Sequence, residues 1–190
     1  MVFDLDSEKV ASVVSEGAGA ATDVAELVAT CDPVFLSLPT SAVTVSVLEE
    51  AVLPHVRKGQ TVIDAGTTIA EECRRLHASF ARRGASFIDA PVSGGPGGAS
   101  SGNLYIFVGG DKPAVDGQWP LLEKLGRARL TYCGPSGSGQ IVKAVNQLAM
   151  GLTQAALIET VSFGVNAGVD AGTLVDAVGG DGGFRGQFSQ

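Results

Sequence analysis

Along residues 1–136, short apolar runs alternate with helical patterns, and this alternation restricts the fold more than any other feature of the chain. Strands are predicted at residues 1–4, 33–39, 61–64, 86–91, 104–108 and 129–132, with proline, glycine or aspartate closing most of them. Helices are predicted between them: from a cap at Asp6 or Ser7 to about residue 16, then at 23–29, 40–52, 69–83 and 112–125. Thr22 is the expected cap of the second helix, with Glu26 in an imperfect capping position. Strands separated by helices at this pitch predict a doubly wound parallel α/β sheet.

The stretch Gly137-Ser-Gly-Gln-Ile-Val-Lys-Ala-Val-Asn-Gln147 reads as a glycine-rich turn feeding a long helix. From Val142 onward, Val145, Leu148, Ala149, Leu152, Ala155, Ala156 and Ile158 keep largely to three- and four-residue steps, the period of a wide apolar helical stripe. Lys143 and Asn146 share one face of that helix, so the amide can hold a substrate oxygen beside the ammonium. Semi-apolar surroundings lower a lysine pKa toward neutrality, which suits proton exchange with a hydroxyl or a carbonyl. A lysine that reaches solvent from a core helix, beside an exposed asparagine, gives the same pattern.

Composition narrows the setting. A formal net charge of -7 leaves no basic footprint for nucleic acid. No apolar run reads as long and uninterrupted enough to span a bilayer, and no cationic-apolar leader opens the chain, so a cytoplasmic protein without a membrane partner is expected. Cys31, Cys73 and Cys133 are odd in number and far apart, and His55 and His77 are too few and too separated, so neither a disulfide framework nor a metal centre is expected.

In doubly wound sheets ligands sit beyond the carboxyl ends of the strands. Those positions are Asp4, the segment 38–40, the segment 64–67, Ser93-Gly94-Gly95 and the segment 134–139. The N–H groups around Ser93, Gly94 and Gly95 read either as a concave anion site for a carboxylate or as an ordinary glycine loop. Asp4 reads either as an acceptor for a ribose 2′-hydroxyl or as the cap of a turn.

Taken in order, Asp89-Ala-Pro-Val-Ser-Gly-Gly95, Gly109-Gly-Asp111 and the segment 137–147 resemble the β-hydroxyacid dehydrogenase family, which includes 3-hydroxyisobutyrate dehydrogenase and tartronate semialdehyde reductase and is more distantly related to 6-phosphogluconate dehydrogenase. The resemblance implies a Rossmann-like domain over residues 1–136 and the start of an all-α dimerisation and substrate domain over 137–190. It implies reversible hydride transfer between NAD(P) and a small 3-hydroxy acid, with Lys143 as general base and acid. Ser93, Gly94 and Gly95 would then hold the substrate carboxylate, Asn146 and Gln147 its other oxygens, and Leu38, Pro39 and Thr67 the cofactor. Asp4 favours NAD, with NADP the second candidate, and a homodimer through the helical region is expected.

The chain also departs from that family. Members begin with a strand, a Gly-x-Gly-x-x-Gly turn and a helix ahead of the equivalent of Val2-Phe3-Asp4, and they continue through a longer helical domain with a second lysine near the substrate. The chain is therefore expected to be truncated at both ends, to lack the first strand and its glycine-rich turn, and to have little activity by itself. The alternative is a non-catalytic fragment that binds or dimerises with a full-length relative.

Overall fold

A computed structural model describes residues 1–127 and 129–179. They form two compact units, Met1–Ala144 and a second that starts at Val145.

The first unit is a six-stranded sheet with helices on both faces. Strands β1 (Val34–Leu36), β2 (Thr61–Asp64) and β3 (Ser86–Asp89) are parallel neighbours, in register from Val34↔Val62 to Asp64↔Asp89. Alternate side chains of these strands go to opposite faces. Val34, Leu36, Val62 and Phe87 pack with Val28 of α2 (Val24–Thr30), with Leu48 and Val52 in the π-helical turn (Leu48–Val52) that extends α3 (Ser41–Val47), and with Cys73, Leu76 and Phe80 of α4 (Ala70–Arg82). Ile63 and Ile88 face the other way, joining Ile106 and Val108 of β5 (Tyr105–Gly109) and Val115 and Leu122 of α6 (Lys112–Gly126).

The sheet is mixed: the expected parallel pairing holds for most of it, and one neighbour runs antiparallel. The chain stays extended past Asp89 into β4 (Val92–Ser93), and both segments pair antiparallel with β5. The pairs Asp89↔Gly109, Val92↔Ile106 and Ser93↔Tyr105 continue one register, so β3 and β4 act as a single bent strand. The connection from β4 to β5 holds only α5 (Gly95–Ser100), too short for the crossover that a parallel neighbour requires. Strand β6 (Leu130–Gly134) returns parallel to β5.

Three local expectations change. The strand expected at residues 1–4 reduces to one parallel bridge, Val2↔Ala20, ahead of α1 (Ser7–Ser15), whose cap is Asp6. The cap of α2 is Asp23 and not Thr22; the Glu26 carboxylate instead accepts the Thr22 N–H at 2.7 Å and its hydroxyl at 2.8 Å. The stretch at Ser93, Gly94 and Gly95, for which an ordinary glycine loop is one reading, leads directly into α5.

Helix α7 (Ser138–Asn166) begins in the first unit and supplies most of the described residues of the second, where α8 (Ala171–Val178) follows. A Cβ at Gly164 would lie 2.6 Å from Leu174 Cδ1, so the missing side chain makes room for α8. By length and composition α7 is apolar enough to cross a membrane, which corrects the expectation that no segment reaches that threshold. The polar positions noticed in sequence are mostly uncharged: Lys143 and Glu159 are its only ionisable side chains. Its first turns are nevertheless packed into the α/β unit, with Gln140 and Lys143 buried.

Candidate active site

Two buried carboxylates end adjacent strands, Asp64 on β2 and Asp89 on β3, and each organises the loop beyond it. Asp64 Oδ1 accepts the Gly66 N–H at 2.9 Å, and its Oδ2 accepts the Thr68 hydroxyl at 2.7 Å. Asp89 reaches across to the start of α7: Oδ1 accepts the Gly137 N–H at 2.7 Å, and Oδ2 accepts the Gln140 N–H at 3.2 Å. The Ser136 hydroxyl lies 3.3 Å from Asp89 Oδ1 and 3.2 Å from the Cys73 carbonyl oxygen, with one hydrogen to serve both. The first N–H groups of a helix lack intrahelical acceptors and carry partial positive charge, so Asp89 serves as a cap supplied by the sheet.

Burial pushes the Asp64 carboxyl up to about 6, against the pull of its bonds to Thr68 and Gly66, and the neighbouring Asp89 charge adds to the rise. Asp89 is likewise raised by burial, and its bonds to Gly137, Gln140 and Ser136 offset part of that rise. Gln140 joins the two loops, since its Oε1 accepts the Thr68 N–H and its Nε2 donates to the Gly66 carbonyl.

Lys143 follows one turn later, only 8% exposed, and burial holds its ammonium below the usual lysine range. Ser136, Gln140 and Lys143 are all buried and recur at helical spacing, so they mark the side of the turn that meets the sheet.

The other candidates fall in four places. Leu38 is half-buried against the α2–α4 core, and its carbonyl oxygen would lie 3.2 Å from a Cβ at Gly66, so the ends of β1 and β2 touch. Pro39, Thr67 and Asp4 are exposed beyond their strands or bridge, and Asp4 Oδ1 accepts the Asp6 N–H at 2.9 Å in a local turn. Ser93 ends β4, and Gly94 and Gly95 have φ of 130° and 61°, a region that favours glycine at both positions. Asn146 and Gln147 lie in α7 within the second unit, where Asn146 Nδ2 donates to Gln147 Oε1 at 3.3 Å. Sequence reasoning gave no role to Asp64, Asp89, Gln140 or Ser136. The readable signal was an aspartate ending each of two consecutive buried strands.

Helices on both faces of such a sheet, with loops gathered at its carboxyl ends, define a Rossmann-like dinucleotide-binding protein. Residues 1–134 match the family described as the NAD binding domain of 6-phosphogluconate dehydrogenase, and residues 137–184 match the NAD-binding family of NADP-dependent 3-hydroxyisobutyrate dehydrogenase. The chain belongs to the β-hydroxyacid dehydrogenase family.

Among curated relatives, the NAD-dependent L-serine dehydrogenase of Pseudomonas aeruginosa is 34% identical over 177 residues, covering 92% of this chain and 59% of that protein. The 3-hydroxyisobutyrate dehydrogenase of the same organism is 31% identical over 179 residues, covering 93% of this chain and 60% of its own. The solved 3-hydroxyisobutyrate dehydrogenase of Mycobacterium tuberculosis with L-serine superposes with a TM-score of 0.87 at 29% identity, over 95% of this chain and 61% of that one. The chain thus spans about three fifths of the length of these relatives.

Proposed function

We propose that the chain provides the cofactor-binding and proton-transfer parts of an NAD(P)-dependent dehydrogenase that interconverts a small 3-hydroxy acid and its semialdehyde or keto acid. The observation that carries this reading is Lys143: a lysine 8% exposed, its ammonium pushed down by burial, on a helix whose first turn is tied to the carboxyl ends of the sheet. A neutral amine there takes the substrate hydroxyl proton in oxidation and returns it in reduction. Ser93, Gly94 and Gly95 bind the substrate carboxylate.

The residues present fit a dinucleotide. Asp4 offers an exposed carboxylate to the ribose hydroxyls, and Leu38, Pro39 and Thr67 give small or apolar surface where the ends of β1 and β2 touch. When bound, the nicotinamide supplies the acceptor for the hydride that leaves the carbinol carbon. Asp4 favours NAD, because an acidic side chain accepts from a 2′-hydroxyl and repels a 2′-phosphate. Among relatives, the L-serine dehydrogenase is named NAD-dependent, while Psf3, 31% identical with a TM-score of 0.79, was solved with NADP+ and 2-OPP.

The same reading has the nucleotide-binding part end at residue 136 and an all-α part begin at 137, supported by two family matches that meet there. It includes a homodimer through the helical region, supported by Val145, Leu148, Leu152, Ile158 and Phe163, each more than 60% exposed in the single chain. A cytoplasmic setting is part of it. The alternative of a non-catalytic partner gains no support from relatives named as dehydrogenases.

Calorimetric titration with NAD and NADP, followed by assay of a panel of 3-hydroxy acids that includes L-serine, tests the proposal. Binding of NAD by the chain is expected, and turnover lost in Lys143→Ala is expected in a protein of the relatives' full length that carries it. Turnover that survives the substitution overturns the role of Lys143, and a preference for NADP above about tenfold, roughly 1.4 kcal/mol, overturns that of Asp4.

A further inference from the structure

We propose that Asp89 is a positioning residue for Lys143: its carboxylate fastens the first turn of α7 to the sheet and so sets how deeply the lysine amine is held. This rests on reading Lys143 as the acid/base group, and it assigns the nearby carboxylate a task in that same site.

The attachment is specific in geometry. Asp89 stands on β3 between β2 and β5, opposite Asp64 and Gly109, so its backbone is fixed from both sides. Its two oxygens accept different N–H groups of the turn, Gly137 at 2.7 Å and Gln140 at 3.2 Å, which fixes the rotation of the helix about its axis as well as its distance. Lys143 stands three residues beyond Gln140, on the same side of the helix, so that rotation decides whether the amine points along the sheet end or toward solvent.

Glycines make the seat. A Cβ at Gly109 would lie 2.7 Å from both carboxylate oxygens. One at Gly139 would lie 2.9 Å from Asp89 Oδ2 and would overlap the Phe107 carbonyl oxygen. A side chain at either position would displace the carboxylate or lift the helix, and the chain has none at both. Such close approach is wasted on a loosely packed turn and needed by one that must hold its place.

The consequence concerns Lys143 itself, so it can be read without turnover. The pH dependence of acetic anhydride labelling, followed by peptide mass spectrometry, gives the midpoint of each lysine in the intact chain. Lys9, Lys58, Lys112 and Lys124 serve as internal controls. In Asp89→Asn, the amide keeps the carboxylate's shape but presents an NH2 group to one of the two N–H donors. The Lys143 midpoint is expected to rise toward that of an ordinary lysine, with the other four unchanged. A Lys143 midpoint equal to that of the unmodified chain overturns the proposal.

If Asp89→Asn does not fold, Ser136→Ala decides. It removes a single contact to the carboxylate, and a smaller rise in the same direction supports the proposal while no change overturns it. Retained dehydrogenase activity in Lys143→Ala would instead refute the acid/base reading and leave the labelling result standing.

Discussion

Gln140 clamps the loop that follows β2: its Oε1 accepts the Thr68 N–H at 3.1 Å while its Nε2 donates to the Gly66 carbonyl at 2.9 Å. Thr68 and Gly66 are buried, so neither backbone group has ready access to water in the folded state. Gln140→Ala therefore leaves a buried donor and a buried acceptor unsatisfied, each costing about 1–3 kcal/mol. A drop in stability of about 2–4 kcal/mol in urea unfolding is expected. Gln140→Glu keeps the acceptor, loses the donor and adds a charge beside two buried carboxylates, so its loss should be larger at pH 7 than at pH 5.

Helix α6 contains two glycines with opposite prospects. Gly117 is exposed, and a Cβ there would meet nothing within 4 Å, so Gly117→Ala should stabilise by about 0.5–1 kcal/mol through a stiffer unfolded chain and better helix propensity. At Gly126 a Cβ would lie 2.6 Å from Leu130 Cδ1 and 2.8 Å from the Leu104 carbonyl oxygen, where α6 rests on β5 and β6. Gly126→Ala should destabilise by about 1–3 kcal/mol, the usual cost of overpacking. Equal signs for the two in thermal melts would contradict the packing described.

Much of this architecture was legible because strand and helix differ in period. The sequence places Thr61–Asp64 to the residue, α6 to within one and the end of Ser86–Asp89 to within two, and Lys143 stands out as a cation on an apolar helix. The direction of β5 was not legible, because it depends on β3 continuing through Ala90 and Pro91 into β4, and on α5 forming in a run of glycine and serine with low helix propensity. The pairing of Asp64 with Asp89 and the reach of Asp89 to Gly137 were hidden for another reason. Each depends on register or on contacts across long separations, and the local pattern around one residue does not carry them. Gln140 lay within a quoted motif, yet a polar residue at a helix start gives no sign of which loop it will hold.

Asp64 makes stability depend on pH in a direction opposite to that of a salt-bridged carboxylate. Its carboxyl is pushed from 3.8 up to about 6 in the folded chain, so the folded state binds the proton more tightly than the unfolded one. Stability from this group is present below the unfolded pKa and is lost as pH rises from about 4 to about 6. Asparagine preserves the contacts to Gly66 and Thr68, since the Thr68 hydroxyl can turn to accept. Asp64→Asn should raise stability by about 1–3 kcal/mol at pH 7, with the gain shrinking toward zero near pH 4. A gain of the same size at both pH values would show that Asp64 is not the group responsible.

In the acid/base role proposed for it, Lys143 gives the activity its own pH signature. Oxidation of the hydroxy acid requires the neutral amine, so kcat/KM rises with pH through the Lys143 pKa and then levels. Because burial lowers that pKa, the midpoint of the rise should lie below 10.5, the ordinary value for lysine. Reduction requires the ammonium and should fall over the same interval. Lys143→Ala removes the group and should lower kcat by about 10²–10⁴-fold while flattening both limbs. Lys143→Arg keeps the positive charge but cannot release its proton near neutrality, so it should behave like the alanine variant in oxidation. Retention of the alkaline limb in Lys143→Ala would assign the titration to another group, and equal rates for the lysine and arginine enzymes would make Lys143 a fixed charge with no part in proton transfer.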